Sequence, residues 1–300
     1  MERRSFLKKT ITVTGGLIVT GNAFAAVGSH ATHRLTILHT NDTHSNIDPL
    51  PLNHAKFPGM GGVAKRMQLV QSIRSVEDQV LLLDAGDIFQ GTPYFNRFGG
   101  KLELQLMSKI GYDAATMGNH DFDGGLNGFL SAKQYADFPF LCANYNFSKT
   151  ILDTQTQPNR IFKKGKITVG VFGIGLELKG LVPESKFEQT VFLDPVHIAN
   201  EQASYLRSKG CDLVICLSHL GFEYTDERIS DRKLAQLTTG IDLIIGGHTH
   251  TFLKEPVVEI NRSGHQVVIN QVGWGGIQLG RIDFELEKTI FKGRKPIVIA

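Results

Sequence analysis

Five apolar segments of this chain each end, within a few residues, in Asp, Asn or His. The segments run from Leu35 to Thr40, Val80 to Leu83, Ala114 to Met117, Leu213 to Leu217 and Ile241 to Ile245. Segments of this length predict strands, and the two continuous apolar runs, Val80 to Leu83 and Leu213 to Leu217, predict buried strands. One polar residue after a strand is ordinarily a turn or a cap. Five in succession predict a shared site, because ligands of α/β proteins gather at the carboxyl ends of strands.

Segments with helical spacing separate these strands, which predicts an α/β fold. They run from Val63 to Val76, Leu102 to Ile110, His197 to Lys209 and Asp231 to Leu237. Further strands are predicted at Phe138 to Ala143 and at Ile167 to Ile174, and the tail from Val257 to Ile299 predicts several antiparallel strands. No repeat or low-complexity linker interrupts the pattern. Residues 26–300 are therefore predicted to form a single domain.

The composition is that of a globular protein, and its charge argues against one class of partner. Hydrophobic residues make up 41% and charged residues 20% of the 300 residues, and the formal net charge is +3. Residues 2–9 carry four basic side chains and one acidic side chain, so the remainder is formally neutral. Such a chain offers no broad basic surface, and binding to a nucleic acid polymer is not predicted.

Residues 1–25 have the pattern of an export signal. Basic residues precede an apolar stretch from Ile11 to Thr20, and Ala23-Phe24-Ala25 is a small-x-small cleavage site. The pair Arg3-Arg4 resembles the twin-arginine signal of bacteria. The apolar stretch is shorter than the roughly 20 residues of a membrane span. A signal cleaved after residue 25 and a periplasmic or secreted protein without a stable span are predicted, with an uncleaved anchor as the alternative.

The three cysteines are predicted to be buried and free. Cys211 and Cys216 share one predicted strand and would stand about 16 Å apart, beyond the reach of a disulfide bond. Cys142 has at most one partner among them, so no disulfide framework is implied.

The polar residues at the five strand ends have the chemistry of metal ligands. The set is Asp42, His44, Asp87, Asn119, His219, His248 and His250, with His120 and Asp123 beside it. Carboxylate, imidazole and amide groups together suit Zn²⁺, Mn²⁺ or Fe²⁺, whereas Ca²⁺ prefers oxygen alone. The lack of cysteine at these strand ends argues against a structural zinc site. Seven ligands are too many for one ion and suit two ions about 3.5–4 Å apart that share a carboxylate.

Taken in chain order, the motifs resemble those of the calcineurin-like metallophosphoesterases, and among them the secreted 5'-nucleotidases. The matching motifs are Asp42-Thr43-His44, Gly86-Asp87 with Gly91-Thr92, Gly118-Asn119-His120-Asp121, His219 and Gly247-His248-Thr249-His250. Asn119 to Asp123 and the preceding Gly111-Tyr112-Asp113-Ala114 point to the 5'-nucleotidase branch. The resemblance covers residues 35–286. It implies a metallophosphatase-type four-layer α-β-β-α sandwich with mixed sheets.

The resemblance also implies a role for each site residue. One metal ion would be held by Asp42, His44, Asp87 and His250, and the second by Asp87, Asn119, His219 and His248, with Asp87 bridging the two. A hydroxide between the ions would attack phosphorus. His120 would stabilise the phosphoryl oxygens or protonate the leaving group, and Asp123 would hold His120 in place. Asp84 would support the ligands rather than bind an ion.

Three departures from the family pattern limit what the resemblance implies. His250 stands where some relatives carry glutamine, so the identity of the metal is left open. Asp121 stands where many 5'-nucleotidases carry glutamate and is assigned a structural role. The aromatic pair and the arginines that a C-terminal domain supplies in two-domain nucleotidases have no counterpart in this sequence. Substrate-binding residues are therefore unknown, and a separately encoded nucleotide-binding domain is one hypothesis.

The implied function is that of an exported two-metal phosphoester hydrolase of nucleotide catabolism, similar to a 5'-nucleotidase and acting on phosphate monoesters. One alternative is a thiosulfohydrolase-like hydrolase of sulfur esters, a relative that also uses twin-arginine export. Another is a non-catalytic metal-binding subunit, against which the complete ligand set and the pair of His120 with Asp123 argue.

Several residues outside the motifs carry weaker expectations. His39 is predicted to be a core histidine with a satisfied ring, and His54 a solvated loop residue. Lys65 and Arg66 are assigned to a solvated helix face, with contact to phosphate as the alternative. Trp274, the only tryptophan, is interpreted either as a platform for substrate or as packing at the edge of the core.

Overall fold

The computed structural model describes residues 34–286, 290–293 and 296–299. The predicted export signal at residues 1–25 lies outside these ranges. None of the helices within them combines the length and the hydropathy that crossing a membrane would require. The described residues all belong to one compact unit.

The described residues form fourteen strands and seven α-helices. The strands are β1 (Arg34–Thr40), β2 (Val80–Asp84), β3 (Ala114–Ala115), β4 (Tyr145–Asn146), β5 (Asn159–Lys164), β6 (Ile167–Ile174), β7 (Val191–Phe192), β8 (Leu213–Ser218), β9 (Leu243–Ile245), β10 (Val257–Ile260), β11 (Gln266–Asn270), β12 (Gln278–Glu285), β13 (Ile290–Gly293) and β14 (Ile297–Val298). The helices are α1 (Val63–Arg74), α2 (Pro93–Phe98), α3 (Lys101–Ile110), α4 (Gly125–Lys133), α5 (Glu184–Phe187), α6 (Pro195–Ser208) and α7 (Asp231–Leu237), with a 3₁₀-helix at His120–Phe122.

Two mixed sheets form the centre of the fold. The first has the order β13-β12-β1-β2-β3, with β14 also paired to β12, and in it β1, β2 and β3 are parallel while β12 runs antiparallel to β1. The second has the order β10-β11-β9-β8-β6-β5, in which the four inner strands are parallel and the two edge strands are antiparallel. A small separate sheet pairs β4 with β7.

Three apolar layers show how the two sheets are stacked. Leu38 and Leu82, on the outer face of the first sheet, pack with residues of α1, α3 and α4. Ile37 joins residues of β6, β8 and β9 in a core between the sheets. Val214 and Ile244, on the outer face of the second sheet, pack with α6 and α7. Successive side chains of a strand point to opposite faces, so a central strand presents apolar residues to both of its neighbouring layers. The predicted four-layer α-β-β-α sandwich is confirmed.

Most predicted elements are present, and one predicted strand is not. The segment from Phe138 to Ala143 forms only isolated bridges, at Phe140 and Leu141. Its neighbour β3 is two residues long, so little backbone is available for pairing. The strands of the tail pair antiparallel with one another as predicted, β10 with β11 and β12 with β13 and β14. In addition, β11 pairs parallel with β9, which precedes the tail.

Two elements lack a strong sequence signal. The edge strand β5 is half-exposed and carries charged residues, so it shows no clean alternation of apolar residues. The six-residue helix α2 has no buried residue, so it has no apolar periodicity. Its start is indicated only by its first residues. The Thr92 side chain accepts a hydrogen bond from the Tyr94 N–H, and Pro93 occupies the first helical position.

Candidate metal centre

Two groups of predicted ligands each bring their ligand atoms within 4.8 Å of one another. The groups are Asp42, His44 and His250, and Asp87, His219 and His248. Each group draws on both sheets: the loops after β1 and β2 supply one part, and the loops after β8 and β9 supply the other. The prediction of two divalent metal ions is confirmed to this extent, as two ligand groups at the carboxyl ends of parallel strands.

Asp87 lies between the two groups. Its Oδ2 is 3.8 Å from Nε2 of His44 and 3.1 Å from Nε2 of His219. Its other oxygen, Oδ1, accepts a hydrogen bond of 2.8 Å from the backbone N–H of His120. One carboxylate oxygen is therefore fixed by the loop, and the other faces both groups, as a bridging ligand requires.

Asn119 stands beside the second group. Its Oδ1 lies 2.9 Å from Nδ1 of His248, and both side chains are largely buried. Burial lowers the pKa of His248 to about 4, and the nearby charge of His219 adds to this lowering. His248 is therefore a neutral imidazole near neutral pH, the form in which histidine binds a metal ion.

The imidazoles of the first group face each other with their ring nitrogens. Nε2 of His44 is 3.0 Å from Nε2 of His250, and the His250 nitrogen is 3.4 Å from Oδ1 of Asp42. Nδ1 of His44 lies 3.3 Å from the carbonyl of Phe89, which assigns the ring proton to that side. Burial lowers the pKa of His44. Nε2 of His44 therefore carries a lone pair, and it lies close to Nε2 of His250 and Oδ1 of Asp42. These three atoms could bind one cation.

His219 has one ring nitrogen that is buried and has no hydrogen-bond partner in the part of the chain that the structure describes. Its side chain is fully buried, and Nδ1 donates to the carbonyl of Ala85 at 2.7 Å. Nε2 has no aligned partner, although Asp87 approaches it closely. Burial opposes the charged form, but Asp87 and Asp42 outweigh it and raise the pKa of His219 to about 10. Without a metal ion, the protonated ring provides positive charge that stabilises the carboxylates of Asp87 and Asp42. A divalent ion would provide the same stabilisation.

The ligand residues adopt a backbone conformation that is rare outside glycine. Five of them have positive φ: Asp42 (49°), His44 (46°), Asp87 (55°), His248 (69°) and His250 (53°). Ser45 and Gln90, in the same loops, share this conformation. Strained backbone of this kind persists only where the surrounding contacts enforce it, and it concentrates at functional sites.

Three glycines allow the ligand loops to approach one another. A Cβ on Gly118 would lie 2.2 Å from Oδ1 of Asp87, and one on Gly86 would lie 2.5 Å from the backbone nitrogen of Gly118. A Cβ on Gly247 would lie 2.8 Å from Nδ1 of His219. Any side chain at these positions would displace a ligand, which explains why glycine precedes Asp87, Asn119 and His248.

Asp121 holds the loop that carries Asp87. Its carboxyl oxygens accept hydrogen bonds from the backbone N–H groups of Asp87, Ile88, Phe89 and Gly118 at 2.8–3.1 Å. Burial and the nearby charge of Asp87 raise the pKa of Asp121 to about 7. Asp84 is likewise buried, and its carboxyl group accepts from the Thr40 hydroxyl at 2.6 Å and from the Gly86 N–H at 2.9 Å. Both carboxyl groups support the ligand loops.

The structure also identifies supporting residues that the sequence did not indicate. The Asn41 side chain donates to Oδ2 of Asp42 and to the carbonyl of Gly273, both at 2.6 Å. Gln271 Nε2 donates to the carbonyl of Gly247 at 2.6 Å. The position of Asn41 next to Asp42 in the sequence could have indicated its role. No local pattern indicates Gln271, because the pairing of β11 with β9 is what brings it to the ligand loop.

His120 and Asp123 form a hydrogen-bonded pair at the rim of the centre. Nδ1 of His120 lies 2.8 Å from Oδ2 of Asp123, and the His120 ring is 5.3 Å from the ring of His44. Burial would lower the pKa of His120, but Asp87 and Asp123 outweigh it and raise it. A histidine held in this way can donate a proton or a hydrogen bond to a group bound at the ions.

An open cleft of about 520 Å³ gives access to the centre. His44, His120 and His250 line it together with His54 and Trp274. His54, expected to be a solvated loop residue, lies in a loop and is half-buried, with its ring beside those of Phe57 and Trp274. Arg66 was expected on a solvated helix face and is buried instead, because its side chain lies beneath the turn that contains Gly276.

The fold and the candidate centre combine an α/β architecture with two adjacent groups of metal-ligand residues at the ends of two stacked sheets. The family model for the calcineurin-like phosphoesterases matches residues 35–252. The chain belongs to this family.

Known relatives agree with this assignment. The chain is 33% identical over 293 residues to a snake venom 5'-nucleotidase of Naja atra, which covers 88% of this chain and 53% of the relative. It is 32% identical over 276 residues to the 5'-nucleotidase of Homo sapiens, covering 85% of this chain and 47% of the relative. The crystal structure of a 5'-nucleotidase precursor from Thermus thermophilus superimposes with a TM-score of 0.78 at 30% identity, covering 89% of this chain and 54% of the other. The chain thus spans about half the length of these relatives.

Proposed function

We propose that this protein hydrolyses phosphate monoesters with two divalent metal ions and that 5'-nucleotides are its substrate class. The observation that carries the proposal is the position of Asp87, whose free carboxylate oxygen faces both ligand groups. Membership of the calcineurin-like phosphoesterase family supports the reaction class. The names of its relatives in cobra venom and in humans support the nucleotide substrate.

The metal ions would be held by Asp42, His44, Asp87 and His250 on one side and by Asp87, Asn119, His219 and His248 on the other. Bound divalent ions would polarise the phosphoryl group and lower the pKa of a water molecule. Protein side chains would supply the hydrogen bonds and the proton that the reaction needs. His120 donates to a phosphoryl oxygen or to the leaving oxygen, and Asp123 keeps its Nδ1 protonated and its ring oriented.

The cleft admits a substrate with a bulky leaving group. It is open to solvent, and the pair of His120 with Asp123 stands at its rim. A centre that only stabilised the fold would need neither an open cleft nor a histidine paired to a carboxylate beside the ligands. These features favour a hydrolase over a non-catalytic metal-binding subunit.

Export through the twin-arginine signal at residues 1–25 is part of the proposal and rests on the sequence pattern alone. Amino-terminal sequencing of the protein from the periplasm should begin at Ala26. Retention of an intact amino terminus in the cytoplasm would contradict export.

The direct test is phosphate release by the protein from Ala26 onward. Adenosine 5'-monophosphate, an aryl phosphate and glycerol 3-phosphate are compared in the presence of Mn²⁺, Zn²⁺ or a chelator. We expect release that the chelator abolishes and that either ion restores. Asp87→Asn should lose turnover, because it weakens both ion sites at once. A lack of metal-dependent phosphate release from every ester would overturn the proposal.

A further inference from the structure

A cluster of aromatic side chains stands on one side of the cleft. It comprises Trp274, His54, Phe57 and Phe252, and we call it the aromatic wall. The rings of His54 and Trp274 lie 6.2 Å apart, those of His54 and Phe57 lie 6.0 Å apart, and those of Phe57 and Phe252 lie 5.3 Å apart. The wall is therefore a chain of ring contacts from Trp274 to Phe252, and two of its members, His54 and Trp274, line the cleft.

The wall is connected to the centre through His250. The His250 ring lies 6.3 Å from the Trp274 ring at an interplanar angle of 29°, close to parallel. The same His250 contributes its Nε2 to the first ligand group. One side chain thus separates the position for an ion from the Trp274 indole, so a group bound at the ion and a ring on the wall would be neighbours.

The backbone that carries Trp274 is held firmly in place. The N–H of Gly275 donates to the carbonyl of Asp42 at 2.7 Å, which ties the turn directly to a ligand residue. Gly273 has a φ of 72°, and a Cβ there would lie 2.2 Å from the Phe252 ring. Glycine at this position is what allows Phe252 to lie against the turn. Such a platform loses little conformational freedom when a ligand binds.

The exposure of these rings distinguishes them from core packing. The largest aromatic residues of the core, such as Phe122 and Phe140, are at most 1% exposed. Trp274 and His54 are half-buried and line the cleft beside His44, His120 and His250. Indole and imidazole rings placed beside a substrate cleft offer π-faces for a planar ring, and base stacking on aromatic side chains is largely independent of the base.

We propose that Trp274 and His54 form a subsite for a planar aromatic leaving group, a nucleobase above all, within this domain. The inference rests on the proposed function for the position of the phosphate and adds the residues that select the ester. No covalent step is involved. The wall contributes affinity for the base, while the metal centre and His120 carry out the reaction.

The single tryptophan of the chain allows the subsite to be tested without turnover. Tryptophan fluorescence of the chelator-treated protein is recorded at the red edge of indole excitation, where adenine does not absorb, during titration with adenosine. Adenosine should quench the emission saturably, because the base stacks on the indole, and ribose at the same concentrations should leave it unchanged. Emission that responds to neither compound, or equally to both, would overturn the proposal.

Kinetics on the metal-loaded protein give an independent readout. Trp274→Leu should raise KM for adenosine 5'-monophosphate about 5- to 100-fold, the range expected when one stacked base loses its platform. Its KM for glycerol 3-phosphate, which has no ring, should stay the same. Trp274→Phe should recover most of the affinity. Tyr205→Ala, which removes an exposed aromatic ring on α6, is the matched control and should behave as the wild type.

The outcomes separate this inference from the proposed function. Metal-dependent release of phosphate from all esters, with the same KM in wild type and Trp274→Leu, would reject the subsite and retain the hydrolase. Base-dependent quenching without hydrolysis of any ester would retain the subsite and reject the hydrolase. If Trp274→Leu does not fold, His54→Ala with the fluorescence titration decides, since adenosine should then bind more weakly to an intact Trp274.

Discussion

At the scale of single residues, the candidate metal ligands are held in fixed backbone conformations by the fold itself. Asp42, Asp87 and His248 keep positive φ although each such residue costs about 1–3 kcal/mol. Backbone hydrogen bonds hold them: the N–H of Asp42 donates to the carbonyl of Gly86 at 2.9 Å, and the N–H of His248 donates to both oxygens of Asp42 at 3.0 Å. The strain is therefore carried by the folded protein and does not have to be supplied by the binding energy of the ions.

The residue-scale prediction concerns His120. His120→Gln should lower kcat for a phosphate ester by about 10²- to 10⁴-fold, the usual contribution of general acid catalysis. The metal content should stay that of the wild type, because His120 belongs to neither ligand group. Asp123→Asn should cause a smaller loss, since the ring remains but its Nδ1 partner is weaker.

Metal analysis and steady-state kinetics on the same preparations check this prediction. His197→Gln, at an exposed histidine of α6, is the matched control for the loss of an imidazole and should keep full activity. Wild-type turnover in His120→Gln would exclude the acid role. Loss of one metal equivalent in that variant would instead make His120 a ligand.

At the scale of elements, a buried histidine joins the two sheets. Nε2 of His39, on β1 of the first sheet, lies 2.8 Å from the Asn270 amide on β11 of the second sheet. A Cβ on Gly280 of β12 would lie 2.0 Å from the same nitrogen, so glycine is required opposite the ring. The prediction of a core histidine is confirmed by its complete burial. The expectation of a satisfied ring is wrong for Nδ1, which has no hydrogen-bond partner among the described residues.

His39 should make the stability of the protein depend on pH. Burial lowers its pKa to about 3, whereas an unfolded histidine titrates near 6.5. The neutral ring therefore contributes full stability above about pH 6.5, and this contribution is lost as the pH falls from 6.5 towards 3, because only the unfolded chain takes up the proton. Between pH 7.5 and 5 the loss should reach about 2 kcal/mol.

Urea unfolding of the chelator-treated protein at several pH values measures this effect. The difference in stability between the wild type and His39→Gln should shrink by about 2 kcal/mol from pH 7.5 to pH 5, whatever the other titrating groups contribute, while His197→Gln should follow the wild type at each pH. A difference that stays constant over this pH range would contradict the role of His39.

At the scale of the whole molecule, the centre connects the two halves of the sandwich. Each ligand group takes residues that follow strands of the first sheet and residues that follow strands of the second. An ion that binds either group therefore binds only the assembled fold. The unfolded chain cannot bring these residues together, so binding adds directly to the free energy of unfolding.

The matching prediction is a large rise in thermal stability when ions bind. A free ion at 100 times its dissociation constant adds about 2.7 kcal/mol for each site. The melting temperature of chelator-treated protein should rise by several degrees after Mn²⁺ or Zn²⁺ is added, in one transition seen by calorimetry. In His219→Gln, which lacks one ligand of the second group, the rise should be smaller. An unchanged melting temperature in the wild type would contradict two occupied sites.

Much of the fold and of the ligand set could be predicted from local sequence. The apolar runs before Asp87 and His219 predicted buried strands, because a strand between two packed layers has apolar residues on both faces. The polar residues at their ends then had to meet, since parallel strands present their carboxyl ends together. The three cysteines, predicted free, are free and buried. Spacing and residue type are properties of short segments, and these predictions needed nothing else.

Only the tertiary structure decided which distant residues support and surround that set. The bond from Asn41 to the carbonyl of Gly273 joins residues 232 positions apart, and the contact of His54 with Trp274 also crosses most of the chain. Arg66 is buried by a turn far along the sequence, which no helical pattern indicates. A pattern along the chain predicts which faces are apolar and where loops end. Which loops then touch depends on the stacking of two sheets, and that stacking arises from long-range packing of their shared core.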